Sequence, residues 1–379
     1  MKKILWVCSD LPFPATHGGR VDMWERIKRV SLSGYVIDLI CTVKNDEKIN
    51  DEILKYVNKI SIVKRSNNFL NYISTRPFQV ESRKNLKEIN LDNKEYDLLM
   101  LESEHVYYIL ENKKIKYKKV AMRIHNNESR YFFNLFKAEK NIIHKAYYLL
   151  DSLKINLFRR TISKKVKKFF FISNDELING GVYDEDGLSK IYHPTPFFVN
   201  EHYEKKEKFN ILFIGSFFMV NNQEAIIWFL DHIHGRLRKI PNYNLILVGN
   251  DKGVKDDFFK KIQSYGQVEV YRSPEDLHCF YNKSMIFINP MQNGAGVKLK
   301  TINAVSYGIP IVSTTVGAEG TSLIPSKDFI LADDSENFYN ALINLYNDEN
   351  MRFNLSLNAI NRLNSNDLIS KQINDFLES

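Results

Sequence analysis

Cysteine is almost missing from this chain: three residues in 379, at positions 8, 41 and 279, far apart and with no CxxC pair. Neither a disulfide framework nor a cysteine zinc site can be built from them, and a reducing compartment fits best. Long apolar runs are missing too. The opening stretch "MKKILWVCSDLPFP" begins with two lysines, but its hydrophobic run ends at Asp10, too short for a signal peptide and about right for a first β-strand. Nowhere does the chain approach the roughly 18 to 20 apolar residues that a membrane helix needs. The expectation is a soluble, cytoplasmic protein, at most peripheral to the inner face of the membrane. There is no internal repeat or low-complexity tract. With 44% hydrophobic and 26% charged residues, the composition excludes a disordered chain.

What is present is alternation. The runs "KILWVC", "YVIDLICTV", "KISIVKR", "YDLLMLES", "KVAMRIH" and "KFFFIS" are separated by helical patterns at 19 to 33, at 46 to 58 and from about 128 onward. Such alternation means a parallel sheet covered on both faces by helices. In the first helix Val21, Trp24, Ile27 and Val30 recur every three residues, and Gly34 stands where the helix should stop. The stretch "YHPTPFFVNEHYEKKEKFN", 192 to 210, interrupts the periodicity with prolines and charges and reads as a linker. The alternation then restarts through "NILFIG", "NLILVG", "QVEVY", "SMIFINP", "IPIVSTT" and "DFILA", with helices expected at 221 to 238, 253 to 263, 274 to 282, 297 to 307 and 333 to 347. We therefore expect an α/β protein of two doubly wound, Rossmann-like domains, 1–198 and 199–362, facing across a cleft. Residues 363–379 should form a C-terminal helix packing back on the first domain. Ligands of such sheets bind at the carboxyl ends of the strands.

The net charge of +8 favours an acidic partner such as a phosphorylated small molecule, an anionic lipid surface or nucleic acid. A chain rich in Lys, Asn and Ile could carry that charge with no functional meaning. Basic and aromatic residues do not interleave into any nucleic-acid-binding signature.

The most unusual stretch is "NGAGVKLKTINAVSYGIPIVSTTVGAEG", 293 to 320. Glycines before a helix let the backbone approach a ligand, and the helix start attracts an anion. Lys298, in the first turn, works against the helix dipole unless something negative lies beside it. A bound phosphate would be that negative group; an exposed lysine beyond a glycine turn is the plainer alternative.

At this point a resemblance becomes explicit. "GAGVKLKTINAVSYGIPIVSTTVGAEG" resembles the donor-binding segment of glycosyltransferase family 4, whose members share the two-domain GT-B fold. "FIGSFFMVNNQEAIIWF", 213 to 229, is similar to the loop and helix that open the donor domain in a subgroup with G-S followed by N-x-x-A-x-x-W-F. "DLPFPATHGGR", 10 to 20, resembles the family's glycine pair after the first strand, and "RIHNNES", 123 to 129, its HN-x-E stretch in the acceptor domain. The resemblance implies a retaining, metal-independent hexosyltransferase with no cofactor beyond its co-substrate, a nucleotide diphosphate sugar. The acceptor would be a glycan, lipid-linked, in surface polysaccharide biosynthesis. It implies donor contacts from Gly18, Gly19, Gly215, Ser216, Gly294, Ala295, Gly296, Val297, Lys298 and Asn303, and a place beside the transferred sugar for His125. Glu128 reads more readily as a helix start than as a catalytic acid.

The chain also departs from the family. Ala295 and Asn303 stand where many members carry glutamates, and the Arg and Lys that many members place on the diphosphate are absent from 216 to 222. Asn303 can still hydrogen-bond a ribose hydroxyl; Arg272, in "YRSPEDL", is the substitute cation. A GT-B sugar-nucleotide epimerase is the alternative enzyme, and a basic nucleic-acid-binding protein the alternative from another class, although no nucleic-acid partner is expected. Finally, "HKAYYLLDSLKINLFRRTISKKVKK", 144 to 168, joins a Tyr/Leu/Phe face to many Lys and Arg. Either the basic face turns outward to an anionic membrane, or the helix packs on its own sheet with solvated charges.

Overall fold

The computed structural model describes residues 1–15, 17–92, 95–179, 183, 187–197, 199, 203–274, 276–294, 296–364 and 369–379. The chain divides into two units, residues 1–196 with 368–379, and residues 197–367.

The first unit is built on a seven-stranded sheet. Its strands are β1 (Lys3–Cys8), β2 (Val36–Val43), β3 (Lys59–Lys64), β4 (Glu95–Glu102), β5 (Lys116–Ile124), β6 (Lys168–Phe171) and β7 (Ser189–Tyr192), in the order β3-β2-β1-β4-β5-β6-β7. Every pairing is parallel. β1 is buried from Ile4 to Cys8, so it shows no polar alternation, as expected of a strand covered on both faces. Helix α1 (Gly18–Leu32) buries Trp24, Ile27 and Val30 and gives way to Gly34 in a left-handed conformation, φ 90°. β7 was not expected from the sequence: it has only four residues and precedes the proline-rich stretch.

Three helical expectations change. Of 46 to 58 only Asp51–Leu54 is helical, capped by the side chain of Asn50. The helical stretch from 128 is two helices, α2 (Glu128–Ala138) and α3 (Ile142–Lys165). Glu139 is extended between them, and the side chain of Asn141 accepts the N–H groups of Ile143 and His144 to start the second. The basic stretch 144 to 168 therefore spans α3 and the start of β6. Its faces also differ from the expectation. Ile155, Phe158, Ile162 and Arg159 turn inward, while Leu150, Leu153 and Leu157 face water.

The second unit holds β8 (Phe209–Ile214), β9 (Tyr243–Gly249), β10 (Val268–Arg272), β11 (Ile286–Asn289), β12 (Ile311–Ser313) and β13 (Ile330–Leu331), ordered β10-β9-β8-β11-β12-β13 and again parallel. All six match strands expected from the sequence. The helices that position the site are α4 (Val220–Phe229), α5 (Leu299–Ser306), α6 (Ser335–Asn347) and α7 (Glu349–Asn364). The expected helices at 253 and 274 begin later, at Asp256 and His278. The last helix, α8 (Ile369–Glu378), buries Ile369 and Ile373 in the cluster that holds Ile4, Trp6 and Ile27 of the first unit.

In each sheet the winding reverses once, between β1 and β4 and between β8 and β11. The loops leaving β8 and β9 approach closely: a Cβ added at Gly249 would stand 1.9 Å from the carbonyl oxygen of Gly215. Gly249→Ala is expected to cost about 1–3 kcal/mol, as overpacking against backbone does. Chemical denaturation of the full chain checks this; an unchanged midpoint would mean that the two loops are free to part.

Candidate functional site

Two clusters of polar side chains sit at the points where the sheets reverse. In the second unit, β8 leads into Gly215 and Ser216, and β11 leads through 290–298 into α5. Gly294 and Gly296 have φ of 131° and 85°, conformations that side chains with a Cβ rarely adopt. A Cβ at Gly294 would press on Asn221 and Met291 at 2.9 Å. The loop after β12 holds the other side. The N–H of Lys298 donates to the Glu319 carbonyl at 3.1 Å, and Gly320 lies so close to Val297 that a Cβ there would be 2.9 Å from it. Both ends of the 293–320 segment thus brace one loop. Ala295 lies outside the described residues.

Lys298 is buried, 5% exposed, and its Nζ donates to the Gly296 carbonyl at 2.6 Å and to the Glu319 carboxylate at 3.0 Å. Lys298 is therefore not the exposed lysine of the plainer alternative, and the negative group beside it is Glu319, from a loop distant in sequence. Burial lowers the pKa of the amine, and Glu319 pulls it back up.

Lys300, which the sequence reading did not single out, is the amine without a carboxylate. Its Nζ donates to Asn222 Oδ1 at 2.6 Å and lies 4.6 Å from the centre of the Phe213 ring. Among the described residues no acid pairs with it. Burial, and secondarily the charge of Lys298, push its pKa down to about 7. Asn222 in turn donates to the Ser216 carbonyl at 2.9 Å, and a Cβ at Gly215 would meet Asn222 at 2.9 Å. Gly215, Ser216, Asn222 and Lys300 therefore form one chain of contacts joining the β8 loop to α5. The only sequence signal for Lys300 is its charge on a helix whose neighbours Leu299, Thr301 and Ile302 are buried.

Asn303, one turn further along α5, donates from Nδ2 to the Tyr281 hydroxyl at 3.0 Å, which leaves Oδ1 as its free acceptor apart from a long 3.5 Å contact with Ser306. Arg272 does not join the cluster. It ends β10, the edge strand, with β9 and β8 between it and β11, and its guanidinium binds Asp251 at 2.7 Å and Asp256 at 2.8 Å over the Phe259 ring. The expectation of Arg272 as substitute cation is corrected: two aspartates already balance its charge.

In the first unit Gly18 and Gly19 open α1 and are exposed. His125 follows β5 with its Nδ1 3.2 Å from Asp22 and its Nε2 3.0 Å from Glu102. Both carboxylates are fully buried and each also binds an arginine: Arg123 donates to Asp22 at 2.7 Å, and Arg26 to Glu102 at 2.5 Å. Trp6 Nε1 adds a bond to Glu102 at 2.7 Å, and Thr195 bonds Asp22. Burial opposes charge on the His125 ring, but the bonds and charges of Asp22 and Glu102 outweigh it and raise the pKa to about 9. The ring is thus an imidazolium at neutral pH, held between two carboxylates at ion-pair distance although its Nδ1 makes no hydrogen bond, and it is not poised as a base. Asp22, Glu102 and His125 have the donor types of a divalent-cation site, but the arginines on both carboxylates make it a balanced cluster instead. The sequence carried a weak signal for this network, in charges interrupting apolar strands: Glu102 ends "LLMLE" and Arg123 stands in "VAMRIH". Glu128 opens α2, its carboxylate 3.6 Å from His105.

Comparison with known proteins adds the following. Residues 208–348 match the family described as Glycosyl transferases group 1. Over 97% of this chain and 96% of its own length, a Klebsiella pneumoniae protein described as an uncharacterized 44.6 kDa protein in the cps region is 35% identical. Among solved structures, sucrose-phosphate synthase from Thermosynechococcus elongatus superposes with a TM-score of 0.70 at 15% identity, covering 100% of this chain and 98% of that one. Anabaena HepE, in complex with UDP and glucose, gives 0.66 at 13% identity with both chains fully covered. TarM of S. aureus, in complex with UDP and glycan ligands, gives 0.70 at 11% identity with both chains fully covered. The shared fold is GT-B.

The buried cluster of the first unit makes a prediction of its own. The pKa of His125 lies above its unfolded value of about 6.5, so its contribution to stability is complete below pH 6.5 and is lost as pH rises through 9. Glu102→Gln should move the His125 midpoint down and leave Arg26 underpaired, costing about 3–5 kcal/mol. Proton NMR of the ring, with denaturation at pH 6 and 10, measures both. A midpoint near 6.5 in the unaltered protein would refute the imidazolium.

Proposed function

We propose that this glycosyltransferase, whose residues 208–348 match the glycosyl transferases of group 1 and whose fold is GT-B, moves a hexose from a nucleotide diphosphate donor to a glycan acceptor, with retention of configuration and without a metal. The observation that carries this reading is Lys300: a half-buried amine with no carboxylate partner among the described residues, at the carboxyl ends of β8 and β11, where open α/β sheets bind their ligands.

As the bond from the anomeric carbon to the diphosphate oxygen breaks, negative charge grows on the leaving group, and catalysis requires stabilisation that increases with it. Lys300 can supply that in a low-dielectric setting, because an arriving anion raises its pKa and holds the proton on the amine. The glycine backbone at Gly294 and at Gly296 admits the diphosphate, Lys298 shares its charge with Glu319, and Asn303 Oδ1 is free for a ribose hydroxyl. No cofactor takes part in this scheme. UDP in the HepE and TarM structures makes uridine the first base to test. The relative in a cps region supports a surface polysaccharide as product, built on a lipid-linked acceptor at the cytoplasmic face. The carboxylates that an epimerase would need are replaced in the glycine segment by Ala295 and Asn303. In the first unit, the fixed positive charge of His125 suits a polar sugar ligand better than proton abstraction.

Titration calorimetry with UDP-sugars tests this. A nucleotide sugar is fully ionised at pH 7, so its affinity for the unaltered protein should fall about tenfold per pH unit above 7, following the Lys300 proton. Lys300→Met should bind at least about tenfold more weakly, since it loses a charge-assisted contact, and without that pH dependence. It should also unfold at a higher temperature, since a half-buried amine with no countercharge is gone. Unchanged affinity in folded Lys300→Met would end the assignment.

A further inference from the structure

The positive charge of this chain is concentrated in one helical hairpin and the turn that leads from it into β6. Residues 128–168 contain eleven Lys or Arg against three Asp or Glu, a net +8, which equals the net +8 of all 379 residues. The rest of the chain is therefore neutral in sum. The three acids are occupied: Asp151 is buried and accepts the N–H of Phe78 at 3.1 Å, Glu128 faces His105, and Glu139 accepts the N–H groups of Lys140 and Asn141. What the hairpin shows to solvent is basic and apolar.

The apolar part is ordered. Ile143, Ala146, Leu150, Leu153 and Leu157 follow one another at intervals of three and four residues along α3, so they share one face. Ile143 is 79% exposed and Leu157 67%, with Leu150 and Leu153 at 54%. The opposite face, with Ile155, Phe158 and Ile162, is already packed inside, so this stripe is not a second route to the core. The same interval continues from Leu157 to Arg160 and Lys164, turning the stripe from apolar to basic. Beside it the short helix Leu70–Ile73 adds exposed Phe69, Leu70 and Ile73. It is held there by the Tyr72 ring, 5.3 Å from that of Tyr147, and by Lys154 Nζ bonding the Tyr72 carbonyl at 2.8 Å. An apolar strip of this extent with basic ends is the composition of an interfacial helix.

We propose that α3 and the 69–73 turn lie flat in the headgroup region of an anionic bilayer, with the leucine stripe inserted and the lysines and arginines on the lipid phosphates. No described helix is long and apolar enough to cross a membrane, so the contact is interfacial. A second copy of the chain would fit the apolar stripe, but a two-fold contact would set +8 against +8. The proposal deepens the functional reading by giving a lipid-linked acceptor its surface, and to that extent it rests on that reading.

The test is sedimentation of the full chain with vesicles of phosphatidylglycerol and phosphatidylcholine in equal parts. Binding should be at least about tenfold stronger than to phosphatidylcholine alone, and part of it should survive about 0.5 M salt, where charge is screened within a few ångströms. Leu150→Ser, Leu153→Ser and Leu157→Ser together should remove the salt-resistant part. Arg160→Gln, Lys164→Gln and Lys165→Gln together should remove the preference for anionic lipid. No binding to anionic vesicles would overturn the proposal, as would binding abolished by salt and indifferent to the leucines. So would a dimer, seen by light scattering, that the leucine substitutions dissolve. UDP-sugar calorimetry on the unaltered chain keeps the two readings apart: donor binding without vesicle binding sinks only the surface, and vesicle binding without donor binding sinks only the transferase assignment.

Discussion

A parallel sheet that winds outward from its middle in both directions cannot close the gap between the two loops leaving its central strands, because their crossovers depart to opposite sides. In the second unit that gap lies between the loop after β8 and the loop after β11. Much of what is distinctive about the 293–320 segment follows from filling it. Glycines at 215 and 249 let two backbones pass almost in contact, glycines at 294 and 296 turn the other loop through left-handed conformations, and Lys300 reaches from α5 back to Asn222 on α4. Remove the reversal and these residues would have no common place to meet.

The two units treat buried charge in opposite ways. Around His125 each carboxylate has an arginine and a ring nitrogen at ion-pair distance, so the charges balance within the cluster and hold His125 charged. Such a network is worth little as stability against an apolar core, but it is costly to break, and it fixes the ring of the one histidine that the family resemblance marks. Around Lys300 there is a single amide and an aromatic face. A half-buried amine without a countercharge lowers stability until an anion arrives, and a site that gains most when charge enters it is suited to a departing diphosphate.

Charge on the outside is equally uneven. The +8 of the whole chain is the +8 of residues 128–168, set beside leucines that the fold leaves uncovered. Long-range attraction and short-range burial then act on the same helix. The first brings an anionic surface near, and the second holds it once salt has screened the first.

The fold class was legible in the sequence because central strands buried on both faces read as unbroken apolar runs and the edge strands β3 and β10 as alternating ones: all six strands of the second sheet and six of seven in the first are visible, and β7 escaped because four residues beside prolines carry no period. The glycine and lysine pattern of 293–320 was equally legible, since positive φ and a helix start are local properties. Which charge answers which was not. Lys298 looked unpaired and Arg272 looked available until Glu319, Asp251 and Asp256 arrived from other loops; Lys300 looked like an ordinary helix lysine until Phe213 and Asn222 enclosed it; and the stripe on α3 looked like core until the sheet took up the opposite face. Sequence determines periodicity and backbone conformation, which depend on neighbours along the chain. Burial and ion pairing depend on neighbours in space, and only the tertiary structure supplies those.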